Sequence, residues 1–275
     1  RSEGERVAAM RITNRAGVFG LLGKFDPSGF LSGTPAKALG DDVAFKAELA
    51  IDSRIFDGQA RIIGRGIGLD AAGLIDLGEN RAEELQVEAF VRDPDLLGDG
   101  LALRGTRLTA TLDGPFRDLA IVHDLRVEEL DLGGTLLTDL RQQGTARYDG
   151  TRWTLPLDLS LARVTSGNTL LDPRLVDGRG RGTLVLSGST LLSDDVQIAF
   201  RGTSANLALR GDLSRGRYQV RGPVQARGLT LESVGTAGGT AMIDLVLAPG
   251  SPWRLAADVD ARIAPVSNAT LANLA

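Results

Sequence analysis

The sequence contains one histidine, His123, and no cysteine, which limits the chemistry that its side chains can perform. Without cysteine there is neither a disulfide nor a thiolate metal site, and one imidazole does not make a histidine-based metal site. A Ser-His-Asp triad would have to use His123. Because His123 stands between Val122 and Asp124 in a strand-like pattern, we expect it to be a solvent-facing strand residue.

Two glycine-rich segments resemble phosphate-binding loops only superficially. In Gly17, Gly20, Gly23 and Lys24 the spacing differs from that of a P-loop, and phenylalanine follows the lysine where Ser or Thr is needed. The segment 64–68, Gly-Arg-Gly-Ile-Gly, lacks the third glycine of a dinucleotide fingerprint at the right offset. We interpret both segments as glycines of close-packed strands or of β-bulges.

Acidic residues occur as adjacent pairs at Asp41-Asp42, Glu128-Glu129 and Asp194-Asp195. Neighbours on a strand point to opposite faces, so the members of such a pair do not share a substrate. Asp258 and Asp260 do share a face, together with two arginines, which indicates a solvated charge ladder. A calcium site there would need more oxygen ligands. We therefore expect no metal, no cofactor and no enzymatic activity.

In the segments that carry these residues, apolar side chains recur with a period of two. Apolar side chains alternate with polar ones in segment after segment, which is typical of antiparallel strands with one solvated face. Hydrophobic residues make up 43% of the chain but aromatic residues only 4%, and there are 35 glycines. We expect about sixteen to eighteen strands in an all-β antiparallel meander. The apolar positions of these strands that we predict to line one face are Val43, Phe45, Leu49, Ile51, Leu85, Val87, Leu108, Leu112, Leu184, Leu186, Val196, Ile198, Phe200, Leu207, Leu209, Ile243, Leu245, Leu247, Leu255 and Val259.

Turn signals separate the alternating segments. The dipeptides that predict hairpin turns are Asp57-Gly58, Asp113-Gly114, Gly133-Gly134, Asp149-Gly150, Asp177-Gly178 and Gly238-Gly239. No long amphipathic helix is predicted, although 71–77 and 135–143 have room for a helical turn or two, and 266–275 for a short helix or a strand. The segment 27–40 is predicted to be a long loop. We divide the chain into a hairpin-plus-loop lead-in, 1–40, and a continuous repeating sheet, 41–275.

The charge distribution argues against nucleic-acid binding, and the hydropathy argues against a membrane-spanning segment. The net charge is −4, with 31 basic and 35 acidic residues spread evenly, so no nucleic-acid footprint is expected. No apolar run is long enough to span a bilayer, and no signal sequence is recognisable. Because the chain begins at Arg1 and ends in a polar stretch at Ala275, we expect a piece of a longer protein whose anchor lies elsewhere.

Several segments resemble the TamB and AsmA-like family. The stretch 111–134 has that family's succession of strand, Gly-Pro, strand and small-residue turn, and 152–275 resembles an α-proteobacterial TamB-type protein in segments such as 153–157, 172–176 and 207–213. The opening of 152–159 is also similar to that of 252–259, which indicates an internal repeat. The first 40 residues carry none of this resemblance.

The resemblance implies a long sheet curled into a taco-like groove with an apolar concave face. It further implies a periplasmic segment of an inner-membrane-anchored protein, phospholipid acyl chains as ligands, and a role in outer-membrane protein assembly with a β-barrel partner. No catalytic residues come with it. From the residues alone two alternatives stay open: the apolar faces pack on each other as a closed core, or exposed strand edges bind partner strands by augmentation.

Overall fold

The fold is all-β, and the structure, a computed structural model, describes residues 8–29, 31, 34–96, 100–169, 171–231, 235–248 and 251–266. These residues form an antiparallel meander of seventeen strands, as the period-two pattern predicted. The strands are β1 Ala8–Arg15, β2 Val18–Phe25, β3 Val43–Asp52, β4 Ile55–Ile63, β5 Ile67–Asp76, β6 Arg81–Val91, β7 Leu101–Arg104, β8 Arg107–Pro115, β9 Leu119–Leu132, β10 Thr135–Tyr148, β11 Arg152–Thr165, β12 Val176–Ser187, β13 Thr190–Phe200, β14 Thr203–Asp212, β15 Arg217–Leu231, β16 Gly235–Ala248 and β17 Ser251–Val266. One short helix, α1 Thr34–Leu39, and 3₁₀ turns at Pro27–Gly29 and Asp172–Arg174 complete the described structure.

The chain divides into two compact units. The first comprises residues 1–133 and 145–150, and the second comprises 134–144 and 151–275. In the first unit, β1 to β6 pair in chain order, β6 then pairs with β8, and β7 and β8 both pair with β9. In the second unit, β11 to β17 pair strictly in chain order. Both units are therefore built from local antiparallel pairings, and residues 1–40 belong to the same unit as the strands that follow them.

Tight packing in the first unit is concentrated where α1 meets the ends of the strands. Val43 and Pro27 are fully buried, and Ala38 of α1 is nearly so. The N–H groups of Arg65 and Gly66 donate to the carbonyl groups of Leu39 and Ala38, which ties the end of α1 to the β4–β5 connection. The expectation of a long loop over 27–40 was wrong at 27–29 and 34–39, which are helical, and the backbone bonds to the β4–β5 connection hold the end of α1 in place.

The predicted helical turns at 71–77 and 135–143 were also wrong, since 71–76 lie in β5, with Leu77 in the turn after it, and 135–143 lie in β10. Both segments contain alanine, leucine or polar residues with acceptable helix propensity, and cross-strand pairing overrides that weak preference. Of the segment 266–275, Val266 ends β17 and the rest lies outside the described residues.

Four of the six predicted hairpin turns lie inside strands. The dipeptides Asp57-Gly58, Asp113-Gly114, Asp177-Gly178 and Gly238-Gly239 fall in β4, β8, β12 and β16, whereas Gly133-Gly134 and Asp149-Gly150 do lie in connections. The strand glycines have a packing reason. A Cβ at Gly58 would lie 2.9 Å from the Cα of Leu49 on the neighbouring strand, so glycine marks a close backbone approach there and no turn.

Candidate functional site: an apolar face on each unit

One face of the first unit is apolar from β2 to β8. Directly paired residues of antiparallel strands share a face, so the pairs Phe45–Ile62 and Leu49–Gly58 place alternate residues of β3 and β4 together. At every register-paired position of this face, from β2 to β8, the residue is apolar or glycine. The eight predicted lining residues of this unit all lie on it: Val43, Phe45, Leu49, Ile51, Leu85, Val87, Leu108 and Leu112.

The second unit has a corresponding apolar face. The pairs Leu209–Val220 and Val220–Leu245 carry it from β14 through β15 to β16. The twelve predicted lining residues of this unit share that face: Leu184, Leu186, Val196, Ile198, Phe200, Leu207, Leu209, Ile243, Leu245, Leu247, Leu255 and Val259. Within each unit, the residues that were predicted to share a face do share one. Their role in binding a ligand stays a prediction.

Several residues of these faces were missed by the sequence reasoning. The strands β2, β4, β5, β11 and β15 supply apolar residues to the same faces, and the alternation of Phe56 and Ile62 with Asp57 and Arg61 on β4 is as clear as that on β3. Because a turn was predicted at Asp57-Gly58, the strand β4 was not recognised from the sequence. The missed residues include Phe19, Leu21, Phe56, Ile62, Leu69, Ile75, Leu155, Leu157, Leu159, Val220 and Val224.

These faces are only partly buried. Among the described residues nine apolar side chains are buried, and six of the nine are alanines. The chain exposes 17785 Å², whereas a compact monomer of 29.0 kDa exposes about 11,000 Å² and two separate bodies of half that mass about 14,000 Å² in total. The apolar side chains of each unit therefore lack the cover that a closed core would give them.

Exposure of the apolar face is largest on the first and last strands. On β1, Met10 and Ile12 are 58% and 57% exposed, and on β17, Leu255 and Val259 are 51% and 62% exposed. Register places each pair on the apolar face of its own unit. The opposite face of β17 carries Asp258 and Asp260 with Arg254 and Arg262, all exposed, as the charge-ladder interpretation predicted.

The opposite face of each unit carries most of the charged side chains, together with exposed apolar ones such as Leu22 and Met242. Its ion pairs join residues on one strand or on adjacent strands, and their side chains are largely solvent-exposed, so each contributes little to stability. In the first unit they are Lys46–Glu48, Arg61–Asp70, Glu88–Arg107 and Asp124–Arg126, and in the second Asp194–Arg210 and Arg221–Asp244, with nitrogen–oxygen distances of 2.9 to 3.4 Å. The contrast between the two faces is the main chemical feature of both units.

Both units contain the same bulge. β6 has an extra residue against β5 and β8 at Glu83-Glu84, and β13 has one against β12 and β14 at Asp194-Asp195. A glycine with positive φ lies opposite each bulge, Gly73 at +138° and Gly182 at +153°. Bulges combined with glycine bend a sheet and increase its twist. Each unit therefore contains a corner in its sheet.

The carboxylate of Asp195 holds the second bulge together. Its Oδ1 accepts the N–H of Thr183 at 2.8 Å and the hydroxyl of Ser193 at 3.0 Å. These hydrogen bonds, the backbone one first, lower the pKa of Asp195 from its ordinary value, because they stabilise the ionised carboxylate. Asp194 pairs instead with Arg210 at 3.0 Å. The acidic pair is thus a structural feature of the bulge.

His123 is a polar residue on the apolar face of the first unit. It is directly paired with Ala110 on that face and is half-buried, so the expectation of a solvent-facing histidine was wrong. Its Nδ1 lies 3.4 Å from the carbonyl oxygen of Ile121. Its Nε2 is buried and has no hydrogen-bond partner in the described part of the chain. The sequence itself indicates that His123 lies on the apolar face, since His123 alternates in phase with Ile121 and Leu125.

Neither a cluster of metal-ligating side chains nor a membrane-spanning helix occurs within the described ranges. There is no group of three or more His, Cys, Asp or Glu side chains placed to hold a metal ion. No described helix has the length and apolarity needed to cross a membrane. Gly64 and Gly66 pack closely, but they lie in the β4–β5 connection and not in a strand or a bulge. A Cβ at Gly64 would lie 2.8 Å from the Cα of Leu39, and one at Gly66 would lie 2.8 Å from a methyl group of Leu96.

Comparison of the chain with protein-family models, with curated proteins and with solved structures gave no match.

Proposed function

We propose that the apolar faces shield phospholipid acyl chains, as a segment of a periplasmic lipid-transfer protein anchored in the inner membrane. The observation that carries the proposal is the incomplete burial of faces whose register positions are almost entirely aliphatic. An acyl chain laid on such a face removes apolar surface from water on both partners. Each buried CH₂ contributes about 0.8 kcal/mol.

The composition of the faces suits a mobile ligand. Leucine, isoleucine, valine, alanine and glycine dominate them, and polar groups that would fix one orientation are few. Pockets for a single rigid ligand usually combine an apolar lining with a few placed polar groups. The corners at Gly73 and Gly182 bend the sheet of each unit, which supports a curled groove in place of a flat sheet.

The periplasmic setting, passage between the inner and outer membranes and a β-barrel assembly partner rest on the resemblance to the TamB and AsmA-like family. Of the segments that carry the resemblance, 111–134 contains the end of β8 and all of β9, and the described part of 152–275 contains β11 to β17. In that setting the exposed apolar faces would be covered by lipid during transfer.

A second candidate function is a non-catalytic scaffold that binds partner strands at a sheet edge. The large exposure of Met10 and Ile12 on β1, and of Leu255 and Val259 on β17, favours it, because edge strands with an exposed apolar face are templates for added strands. Capture of unfolded β-barrel precursors by lipid-free protein would support this function, and its absence would contradict it.

Native mass spectrometry of the purified chain with phospholipid tests the lipid proposal. Neighbouring residues of β14 give a matched pair, since Leu207 lies on the apolar face and Asn206 on the charged face. We expect adducts of intact phospholipid mass on the wild type and on Asn206→Asp, and a marked loss of adducts on Leu207→Asp. Equal adduct formation by both variants, or none by the wild type, would contradict the proposal.

A further inference from the structure

We infer that β17 pairs edge to edge with β17 of a second copy of this chain, as an antiparallel two-fold dimer. The inference goes beyond the proposed function and does not depend on lipid binding. Within the described part of the chain β17 is paired with β16 alone. Its other edge therefore presents backbone N–H and C=O groups without strand partners, and such an edge is a template for an added strand.

The charges of β17 have no partners within their own unit. Four charged side chains share one face of the strand, and none of them forms an ion pair with a described residue: Arg254, Asp258, Asp260 and Arg262. The residues directly opposite them on β16 are uncharged: Val246, Met242, Thr240 and Gly238. Elsewhere on this face charges pair across adjacent strands, as in Arg221–Asp244 at 3.1 Å. Partners for the charges of β17 can therefore come from its free edge.

The order of these charges is self-complementary in one register. Residues 254–262 are all exposed, and three antiparallel registers overlap seven or more of them with the apolar faces of both copies on the same side. In one of the three, Arg254 lies opposite Asp260 of the second copy, and Asp260 opposite its Arg254, with no like charges directly opposed. The other two registers place Asp258 opposite Asp258 or Asp260 of the second copy. Since opposite charges directly across a ladder stabilise it and like charges destabilise it, the first register is favoured.

The same register matches the apolar faces. Leu255 lies opposite Val259 of the second copy, and Ala257 lies on the two-fold axis opposite its own equivalent. Leu255 and Val259 are 51% and 62% exposed in the single chain, so pairing removes apolar surface from water on both copies. The apolar face of the second unit then continues across the axis into the second copy. Because both copies use the same edge, the association closes at two chains.

The strand β1 does not have this property. Its charged side chains are Arg11 and Arg15, and it contains no acidic residue. Pairing of β1 with itself would gain no opposite-charge pair. The second copy therefore fits the edge of β17 specifically.

Sedimentation velocity of the lipid-free chain at increasing protein concentration tests the charge pairing. An interface of two paired strands is small, so we expect a reversible dimer that forms at high concentration. Arg254→Asp should weaken association about tenfold, because it turns both opposite-charge pairs into like-charge pairs. The double variant Arg254→Asp/Asp260→Arg restores the pairs with their signs exchanged and should restore the dimer. Arg262→Asp makes the same change of charge outside the seven overlapping residues and should leave the dimer intact.

Disulfide formation tests the register, since the chain has no cysteine of its own. In the Ala257→Cys variant the two thiols face each other across the axis, at a separation that suits a disulfide. In the Ala261→Cys variant the two thiols lie eight residues apart along the ladder, about 26 Å. We expect a covalent dimer on mild oxidation from Ala257→Cys and little from Ala261→Cys.

The outcomes separate this inference from the proposed function. A wild type that stays monomeric at every concentration would overturn self-pairing and leave the edge to a foreign strand. A dimer that Arg254→Asp does not weaken, or equal disulfide yields from the two cysteine variants, would overturn the register and with it the inference. Acyl-chain binding is tested separately by the phospholipid adducts of the Leu207 and Asn206 variants, and circular dichroism verifies that each variant is folded.

Discussion

Replacing Gly182 by alanine tests the geometry of the corner in the second unit. Gly182 has a φ of +153°, which L-residues rarely adopt. A Cβ there would lie 3.0 Å from the carbonyl oxygen of Asp195 and 3.0 Å from the Cα of Val196. Because both atoms belong to the backbone of the bulge, no side-chain rotation relieves the contact, and the bulge itself must shift.

The expected magnitude follows from three contributions. The unfavourable φ costs about 1–3 kcal/mol, and the crowded backbone contact adds about 1 kcal/mol. Alanine lowers the conformational entropy of the unfolded chain, which stabilises the folded state by about 0.4–1 kcal/mol. We therefore expect Gly182→Ala to lower the free energy of unfolding by about 1–3.5 kcal/mol.

Gly180 provides the matched control two residues earlier on β12 and on the same face. Its φ lies outside the positive region, and the nearest atoms to an added Cβ belong to the side chain of Leu159 at 3.3 Å. Since that side chain can adjust, Gly180→Ala should change the free energy of unfolding by no more than about 0.5 kcal/mol.

Urea unfolding followed by tryptophan fluorescence measures both variants. Trp153 lies on β11, which pairs with β12, and a Trp253→Phe background makes it the only emitter. The signal then reports on the second unit, which matters because a chain with two units need not unfold in one transition. Equal midpoints for Gly182→Ala and Gly180→Ala would refute the proposed corner geometry.

Three further predictions concern charges on the two faces. The pKa of Asp195 is lowered in the folded state, so its ionised form stabilises the fold above the ordinary aspartate pKa. That contribution is lost as the pH falls through the pKa of the folded state. When the free energy of unfolding is measured against pH, Asp195→Asn should therefore reduce its dependence on pH below about 4. Removing the exposed pair Arg61–Asp70 with Arg61→Ala should change stability by less than about 1 kcal/mol, with a smaller change in high salt, as thermal unfolding at two salt concentrations would show. Leu209→Asp, on the apolar face, should destabilise by about 2 kcal/mol or more in urea unfolding, whereas Ala208→Asp on the opposite face should change stability by less than about 0.5 kcal/mol.

The period-two pattern was sufficient to predict the fold class and the shared face of the lining residues. Alternation such as that of Phe45 and Leu49 with Lys46 and Glu48 fixes which side chains share a face once the register is set, and register in a meander is set by neighbouring pairs. All twenty predicted positions could therefore be placed correctly without knowledge of the tertiary structure.

The errors came from residues whose conformation depends on a neighbouring strand. Gly58 and Gly178 looked like turn glycines because Asp-Gly is a strong local turn signal. Gly58 lies where the backbone of the neighbouring strand approaches closely, and at Gly178 the side chains of Phe200 and Leu161 occupy the space of a Cβ. The bulges at Glu83-Glu84 and Asp194-Asp195 leave no clear mark in the alternation. His123 was assigned to the wrong face because its polarity was weighted above its phase with Ile121.

Site-specific photo-crosslinking tests the central claim most directly. A benzophenone amino acid at Leu209 or Leu245 lies on the apolar face of the second unit, and the same group at Ala208 or Asp244 lies on the charged face of the same strands. With phospholipid vesicles present, the account predicts phospholipid adducts from Leu209 and Leu245 and none above background from the two control positions. An absence of adducts at both apolar positions, or equal yields from the two faces, would contradict it.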